Sequence, residues 1–152
     1  LNITKSDAQR YINEYFEKHK AVKSYLDKQI ESGEETREVR TFFGRVRKLP
    51  EFASRKFMER ELAKRLAMNT PIQGTAADII KIAMNSVSSE LRAKGLKSRL
   101  ILQIHDELIV EGPESEAGEV RNILERCMMS AADLPVDLIC DIHTGHTWYE
   151  LK

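Results

Sequence analysis

The sequence predicts an α/β fold of the α+β kind, with antiparallel strands packed against several long helices. Three observations predict it. Apolar residues recur at helical spacing in five stretches. Two short apolar runs flank three polar residues at 105–107. A run near the C-terminus alternates apolar and acidic side chains. The chain has 152 residues, 41% hydrophobic and 32% charged, which is enough for one domain with its own core and too apolar for a disordered segment.

The elements follow in order. Thr4 with Asp7 resembles a helix-capping arrangement, a carboxylate at the positive helix end. Ala8, Tyr11, Ile12, Tyr15 and Phe16 continue at helical spacing, and Tyr11, Tyr15 and Phe16 read as core rather than as a base-stacking platform. Val22, Tyr25, Leu26 and Ile30 form a second helix or a bent extension, ended by Gly33 and the charged run to Glu38. Residues 39–43 are β-prone, Gly44 breaks them, and Arg45, Arg47 and Lys48 make a basic loop before Leu49-Pro50. Phe57, Leu62 and Leu66 predict a helix that ends near Asn69. Thr70-Pro71 predicts a restart, a cap residue followed by proline at the first helical position. Ala76, Ile79, Ile80, Ala83, Met84, Val87 and Leu91 form the clearest apolar stripe, and Gly95 releases the chain. Residues 100–104 and 108–110 read as the strands of a hairpin, closed by Gly112-Pro113. Ala117, Val120, Ile123, Leu124 and Cys127 give another helix, with Met128-Met129 as packing. After Pro135 a last strand is expected, where Val136, Leu138, Cys140 and Ile142 alternate with Asp137 and Asp141.

Net charge is zero, but the charges are unevenly spread. Residues 37–65 hold ten Lys/Arg against four Asp/Glu, a net of +6, and residues 101–152 hold three against eleven, a net of −8. A basic middle suits a phosphate backbone and an acidic end suits divalent cations; solvated helix faces would give the same asymmetry. Cys127 and Cys140 make no CxxC pair, so a disulfide framework is not expected and a reducing, cytoplasmic setting fits. No apolar run approaches the roughly 20 residues of a membrane span, and no signal-peptide core is visible. The chain starts at Leu1 without Met, directly before a helix start, as a piece of a longer chain would.

Two spots carry candidate chemistry. His105-Asp106-Glu107 interrupts two apolar strands, so the tip would present carboxylates on a firm support. Mg²⁺ takes oxygen ligands and often only one or two protein carboxylates; an ordinary polar turn has the same composition. Arg65, Asn69 and Gln73 are spaced four apart and would share a helix face, only approximately if Pro71 bends the helix. Such side chains hydrogen-bond base edges, or simply form a polar face. Cys140, His143 and His146 invite a zinc reading, but a spacing of three and three does not share a strand face and no fourth ligand is evident.

Four stretches resemble one family. RLAMNTPIQGTAADIIK (residues 65–81) is similar to a signature of family A DNA polymerases, and LQIHDELIVE (102–111) to that family's motif C. HTWY (146–149) resembles its closing Thr-Trp-Tyr, and FGRVRKLP (43–50) its basic loop. Order and spacing agree, and the resemblance covers essentially the whole chain. It implies the C-terminal part of a polymerase domain, from just after the nucleotide-binding fingers helix. Residues 1–38 would be fingers-side helices. Residues 39–152 would be palm, with a DNA-contacting helix and the motif C hairpin in an antiparallel sheet.

The resemblance also implies roles. Asp106 would be one of two catalytic aspartates that bind a Mg²⁺ pair for two-metal nucleotidyl transfer, and Glu107 a supporting acid. Gln103 and His105 would lie near the primer end. Arg65, Asn69 and Gln73 would contact primer-template DNA in its minor groove, where acceptors are largely independent of sequence. Deoxynucleoside triphosphates would be bound mainly by parts upstream, and the setting would be the bacterial nucleoid. Motif A with the other aspartate, and the fingers helix with its lysine and tyrosine, are expected upstream of residue 1, so the 152 residues alone should not polymerise. Val46 stands where the family usually has a basic residue, Lys64 where it often has an acidic one, and the loop 34–37 is altered. Two other classes compete: a non-catalytic DNA-binding module using the basic segment, and a structural domain with a protein partner.

Overall fold

In the computed structural model, which describes residues 3–151, the described residues form two compact units that divide between Thr75 and Ala76. Leu1 itself lies outside the described residues.

The first unit opens with helix α1 (Lys5–Lys18). Thr4 caps it as expected: its Oγ1 accepts from the Asp7 amide at 3.1 Å. The expected core stripe is not core, since α1 buries no residue and Tyr11 and Tyr15 are half exposed. Only His19, at φ −114° and ψ 57°, separates α1 from helix α2 (Lys20–Thr36). Gly33 does not end that helix. It is buried, and a Cβ there would stand 3.0 Å from the Phe52 ring and 3.4 Å from Ala67 Cβ. The glycine is there to let α2 approach its neighbours closely, a tertiary requirement that outweighs its cost of about 1 kcal/mol in a helix. The helix ends instead at Arg37, whose left-handed φ of 61° lets its amide bond the Gly33 carbonyl.

The expected strand at 39–43 and basic loop are one small hairpin. Strand β1 (Glu38–Arg40) pairs antiparallel with β2 (Val46–Lys48), Val39 opposite Arg47. A 3₁₀ turn at Pro50–Ala53 follows. Helix α3 (Phe57–Ala93) then runs 37 residues without interruption, so the predicted restart at Thr70-Pro71 does not occur. Proline inside a helix costs on the order of 3 kcal/mol. Local packing supports the helix on the N-terminal side: Ala63 and Ala67 join Val39, Leu49 and Phe52 in the core of the first unit. Thr70 does not serve as a cap; its hydroxyl accepts from Arg47 Nη1 at 3.4 Å.

In the second unit, strand β3 (Arg99–Ile104) pairs antiparallel with β4 (Glu107–Glu111), the hairpin that the apolar runs predict. A bulge at Ile101 shifts the register between Leu100 and Leu102 and leaves both Ile101 and Leu102 exposed. The hairpin is therefore less buried than expected. Helix α4 (Ala117–Met129) agrees with its apolar pattern. Val87, Leu91, Ile123, Leu124 and Cys127 form the core, with Leu108, Val110, Met128 and Ile142 packed on it; Met129 is exposed.

The expected last strand is absent. Leu138, Cys140 and Ile142 are half buried, and Ile139, Asp141 and His143 are exposed, so the alternation holds from Leu138 on, but Val136, expected on the inner side, is exposed. A ladder needs a partner strand, and among the described residues none pairs with this segment. No described helix is long and apolar enough to cross a membrane.

Candidate nucleic-acid interface and acidic hairpin

The candidate residues divide between the units, and each group is described by itself. Because α3 is continuous, Arg65, Asn69 and Gln73 occupy successive turns of one face, and all three are exposed. At 1.5 Å per residue the row is about 12 Å long, roughly three to four base-pair steps at 3.4 Å each. The helix runs through Pro71 without the restart that the sequence predicts, so the row is continuous.

Beside it lies a groove of about 330 Å³ lined by Arg45, Val46, Arg47, Leu66, Asn69 and Gln73, with Thr70 and Gly74. Its wall is the β1–β2 hairpin, tied to α3 by three side-chain bonds. Arg45 Nη2 donates to the Gly74 carbonyl at 3.0 Å, the Phe42 amide to Thr75 Oγ1 at 2.9 Å, and Arg47 to Thr70. Gly74 makes the approach possible, because a Cβ there would stand 2.6 Å from Thr41 Cγ2. Sequence reasoning missed these anchoring residues. The available signal was a glycine and two threonines inside a helical pattern, opposite a basic loop. Lys64 pairs with Glu61 at 2.8 Å on its own helix, and that hydrogen bond raises the ammonium pKa.

The acidic site is the tip of β3–β4. Ile104 faces Glu107, so the loop is His105-Asp106 alone and Glu107 opens β4. His105 has φ 52°; two-residue hairpin loops favour positive φ because its twist matches that of the strands. The Gln103 amide donates to the His105 carbonyl at 2.5 Å and clasps the tip. The side chains of His105, Asp106 and Glu107 are exposed, and Gln103 is half buried. Neither Asp106 nor Glu107 has a side-chain hydrogen bond or ion pair among the described residues. Both are exposed carboxylates, and oxygen donors of this kind are the ligand type that Mg²⁺ takes, usually only one or two from protein.

Among the described residues no three His, Cys, Asp or Glu side chains gather as a metal cluster, Cys140, His143 and His146 included. Burial pushes both thiols up, with the Glu90 carboxylate adding to the effect at Cys127. Neither is poised as a thiolate.

Mixed helices with small antiparallel sheets, a polar helix row beside a basic hairpin and an exposed acidic tip define an α+β chain of the kind found in polymerase domains. The comparisons are specific. Residues 1–150 match DNA polymerase family A, and the chain belongs to that family. It is 42% identical over its whole length to DNA polymerase I of Streptococcus pneumoniae serotype 4 and 45% identical to DNA polymerase I of Geobacillus stearothermophilus. It spans 17% of the length of each. Among solved structures it is similar to the POL domain of Pol1 from M. smegmatis in complex with DNA primer-template and dNTP. That likeness has a TM-score of 0.85 and 40% identity, over 91% of this chain and 24% of that one.

Proposed function

We propose that this chain is the C-terminal part of the polymerase domain of a DNA-directed DNA polymerase, acting in replication and repair. Residues 1–38 would be its fingers side and 39–152 its palm. The observation that carries this reading is the β3–β4 hairpin, where the motif C residues form a clasped two-residue tip with Asp106 exposed and, among the described residues, unpaired.

In this reading Asp106 is the metal-binding catalytic aspartate and Glu107 supports it. Mg²⁺ bound there supplies charge neutralisation for phosphoryl transfer. The chain's own residues position. The Gln103 amide fixes the His105 carbonyl, which fixes the tip, and Gln103 and His105 face the primer end. Arg65, Asn69 and Gln73 read the minor groove over the last few base pairs without preferring any sequence. Arg47 and Lys48 neutralise backbone phosphates. Deoxynucleoside triphosphates and a second aspartate come from elsewhere in a complete polymerase. Residues 1–152 alone, with one such aspartate, do not polymerise.

The test is Asp106→Asn in the complete polymerase. Nucleotide incorporation should fall by about 10²- to 10³-fold, on the order of what removing one strong electrostatic stabiliser does. The thermal midpoint should stay within a degree or two, because the side chain has no partner to lose. Turnover equal to the unsubstituted enzyme would remove Asp106 from the mechanism and favour a non-catalytic DNA-binding module.

A further inference from the structure

The β1–β2 hairpin carries a feature that metal chemistry and minor-groove contact leave unused. Phe42 and Phe43 stand at its tip, 62% and 42% exposed, with ring centroids 5.4 Å apart and planes at 85°. Neither belongs to the buried core of the first unit. Water-facing phenylalanines forgo the burial that drives folding, so a firmly held exposed pair needs a physical account.

The pair is firmly held. The Thr41 amide donates to the Arg45 carbonyl at 3.0 Å, the Gly44 amide to the Thr41 carbonyl at 2.9 Å, and the Arg45 amide to Thr41 Oγ1 at 3.1 Å. Gly44 takes φ 81°, which closes the turn. The Phe42 amide is pinned to Thr75 Oγ1 on α3. The rings therefore project from a braced loop whose root, Val39, Thr41 and Leu49, is buried.

The charge around the rings indicates what they meet. Between residues 39 and 50 stand Arg40, Arg45, Arg47 and Lys48, with no Asp or Glu. Arg40 is paired with Glu38, and Arg47 reaches the groove that Asn69 and Gln73 line. An apolar protein surface would complement the rings but not this cationic rim. An unpaired nucleobase complements both, with a π-face for the ring and a phosphate on either side. We propose that Phe42, backed by Phe43, is a stacking platform for an unpaired base of a single-stranded DNA extension, next to the duplex end that Asn69 and Gln73 contact. This rests on the reading of the chain as DNA-binding.

The experiment measures fluorescence anisotropy of the full chain on three labelled DNAs at one salt concentration: a blunt duplex, the same duplex with a six-nucleotide 5′ extension, and that extension made abasic. The base-bearing extension should bind about tenfold tighter than the abasic one, the lower part of the range for stacking on an aromatic side chain. Phe42→Ala should abolish that gain and leave blunt-duplex affinity unchanged, and Phe42→Trp should restore it. A 2-aminopurine at the first unpaired position should be quenched by the unsubstituted chain and not by Phe42→Ala.

Equal binding of the abasic and base-bearing extensions by the unsubstituted chain would overturn the proposal. So would a Phe42→Ala effect of the same size on blunt duplex, or one confined to self-association in sedimentation. Either result leaves the DNA-binding reading intact if blunt-duplex affinity still depends on Arg65, Asn69 and Gln73. Failure to bind any of the three DNAs would overturn both.

Discussion

The β1–β2 hairpin has three-residue strands, a wide loop and a cationic, aromatic tip braced against α3 by side-chain bonds. The β3–β4 hairpin has strands of six and five residues, a two-residue acidic tip and a clasp made from its own Gln103. The short hairpin cannot stand alone, since two-stranded hairpins are marginal in water, and it borrows rigidity from a helix. The long one carries its own rigidity and rests β4 on the core through Leu108 and Val110. Binding a long polyanion asks for charges at a fixed distance from a helix row, whereas holding a small cation asks for carboxylates kept clear of competing partners. Each hairpin is braced in the way its proposed task requires.

The sharpest way to break the comparison is at the root of the long hairpin. A Cβ on Gly112 would meet Ser98 Oγ at 1.9 Å and Ser98 Cα at 3.0 Å. Ser98 is buried and held by Glu116, so the backbone cannot yield easily. Gly112→Ala should therefore destabilise the second unit by about 3 kcal/mol, the upper part of the range for overpacking. Urea denaturation measures it, and a loss under 1 kcal/mol would show that this root is soft.

At the short hairpin the matching change is Gly74→Ala. Alanine improves helix propensity by about 1 kcal/mol, but its Cβ would stand 2.6 Å from the buried Thr41 side chain. The expected result is a net loss of about 1–2 kcal/mol, with DNA affinity falling further than stability because the groove wall moves. A variant more stable than the original would mean that the hairpin can slide on α3.

The smallest effect is acid dependence at the long hairpin's root. Glu116 accepts from Ser98 Oγ at 2.6 Å and from the Lys97 and Ser98 amides at 3.1 and 2.9 Å. The Ser98 hydroxyl, then the Lys97 amide, hold its pKa below the usual carboxylate range. A lowered folded pKa means the contribution is present above the unfolded value and is lost as pH falls through the folded one. Stability should decline below about pH 4.5 partly through this group. Glu116→Gln should flatten that part of the curve in thermal melts between pH 3 and 6. An unchanged slope would assign the acid sensitivity to other carboxylates.

What the sequence made legible was local. Thr4 with Asp7 marked a cap, the apolar runs around His105-Asp106-Glu107 marked a hairpin, and the stripe through Cys127 marked α4, because each signal acts within a few residues. Gly33 and Pro71 look like punctuation in the sequence. Both lie inside helices held by contacts with Phe52, Ala67 and the β1–β2 hairpin, and no local window contains those partners. The segment 136–142 keeps its alternation only from Leu138 on, Val136 being exposed, and has no ladder, since pairing is a property of two segments. The candidate site followed the same division. Asp106 and the row from Arg65 to Gln73 stand out along the chain, whereas the braces Thr41, Thr75 and Gly74 become visible only when the hairpin meets the helix.

The left-handed backbone at His105 bears on which sequences this loop can accept. Glycine occupies such a conformation freely, and asparagine, aspartate and histidine do so more readily than other residues, while β-branched residues are excluded by their own geometry. Any library that randomises this position is filtered by backbone shape before chemistry is consulted. Survivors would therefore be drawn from a small alphabet whether or not the imidazole has a role. Glycine at 105 is the informative member of that alphabet: it keeps the turn and deletes the ring, so whatever it loses belongs to histidine's side chain alone.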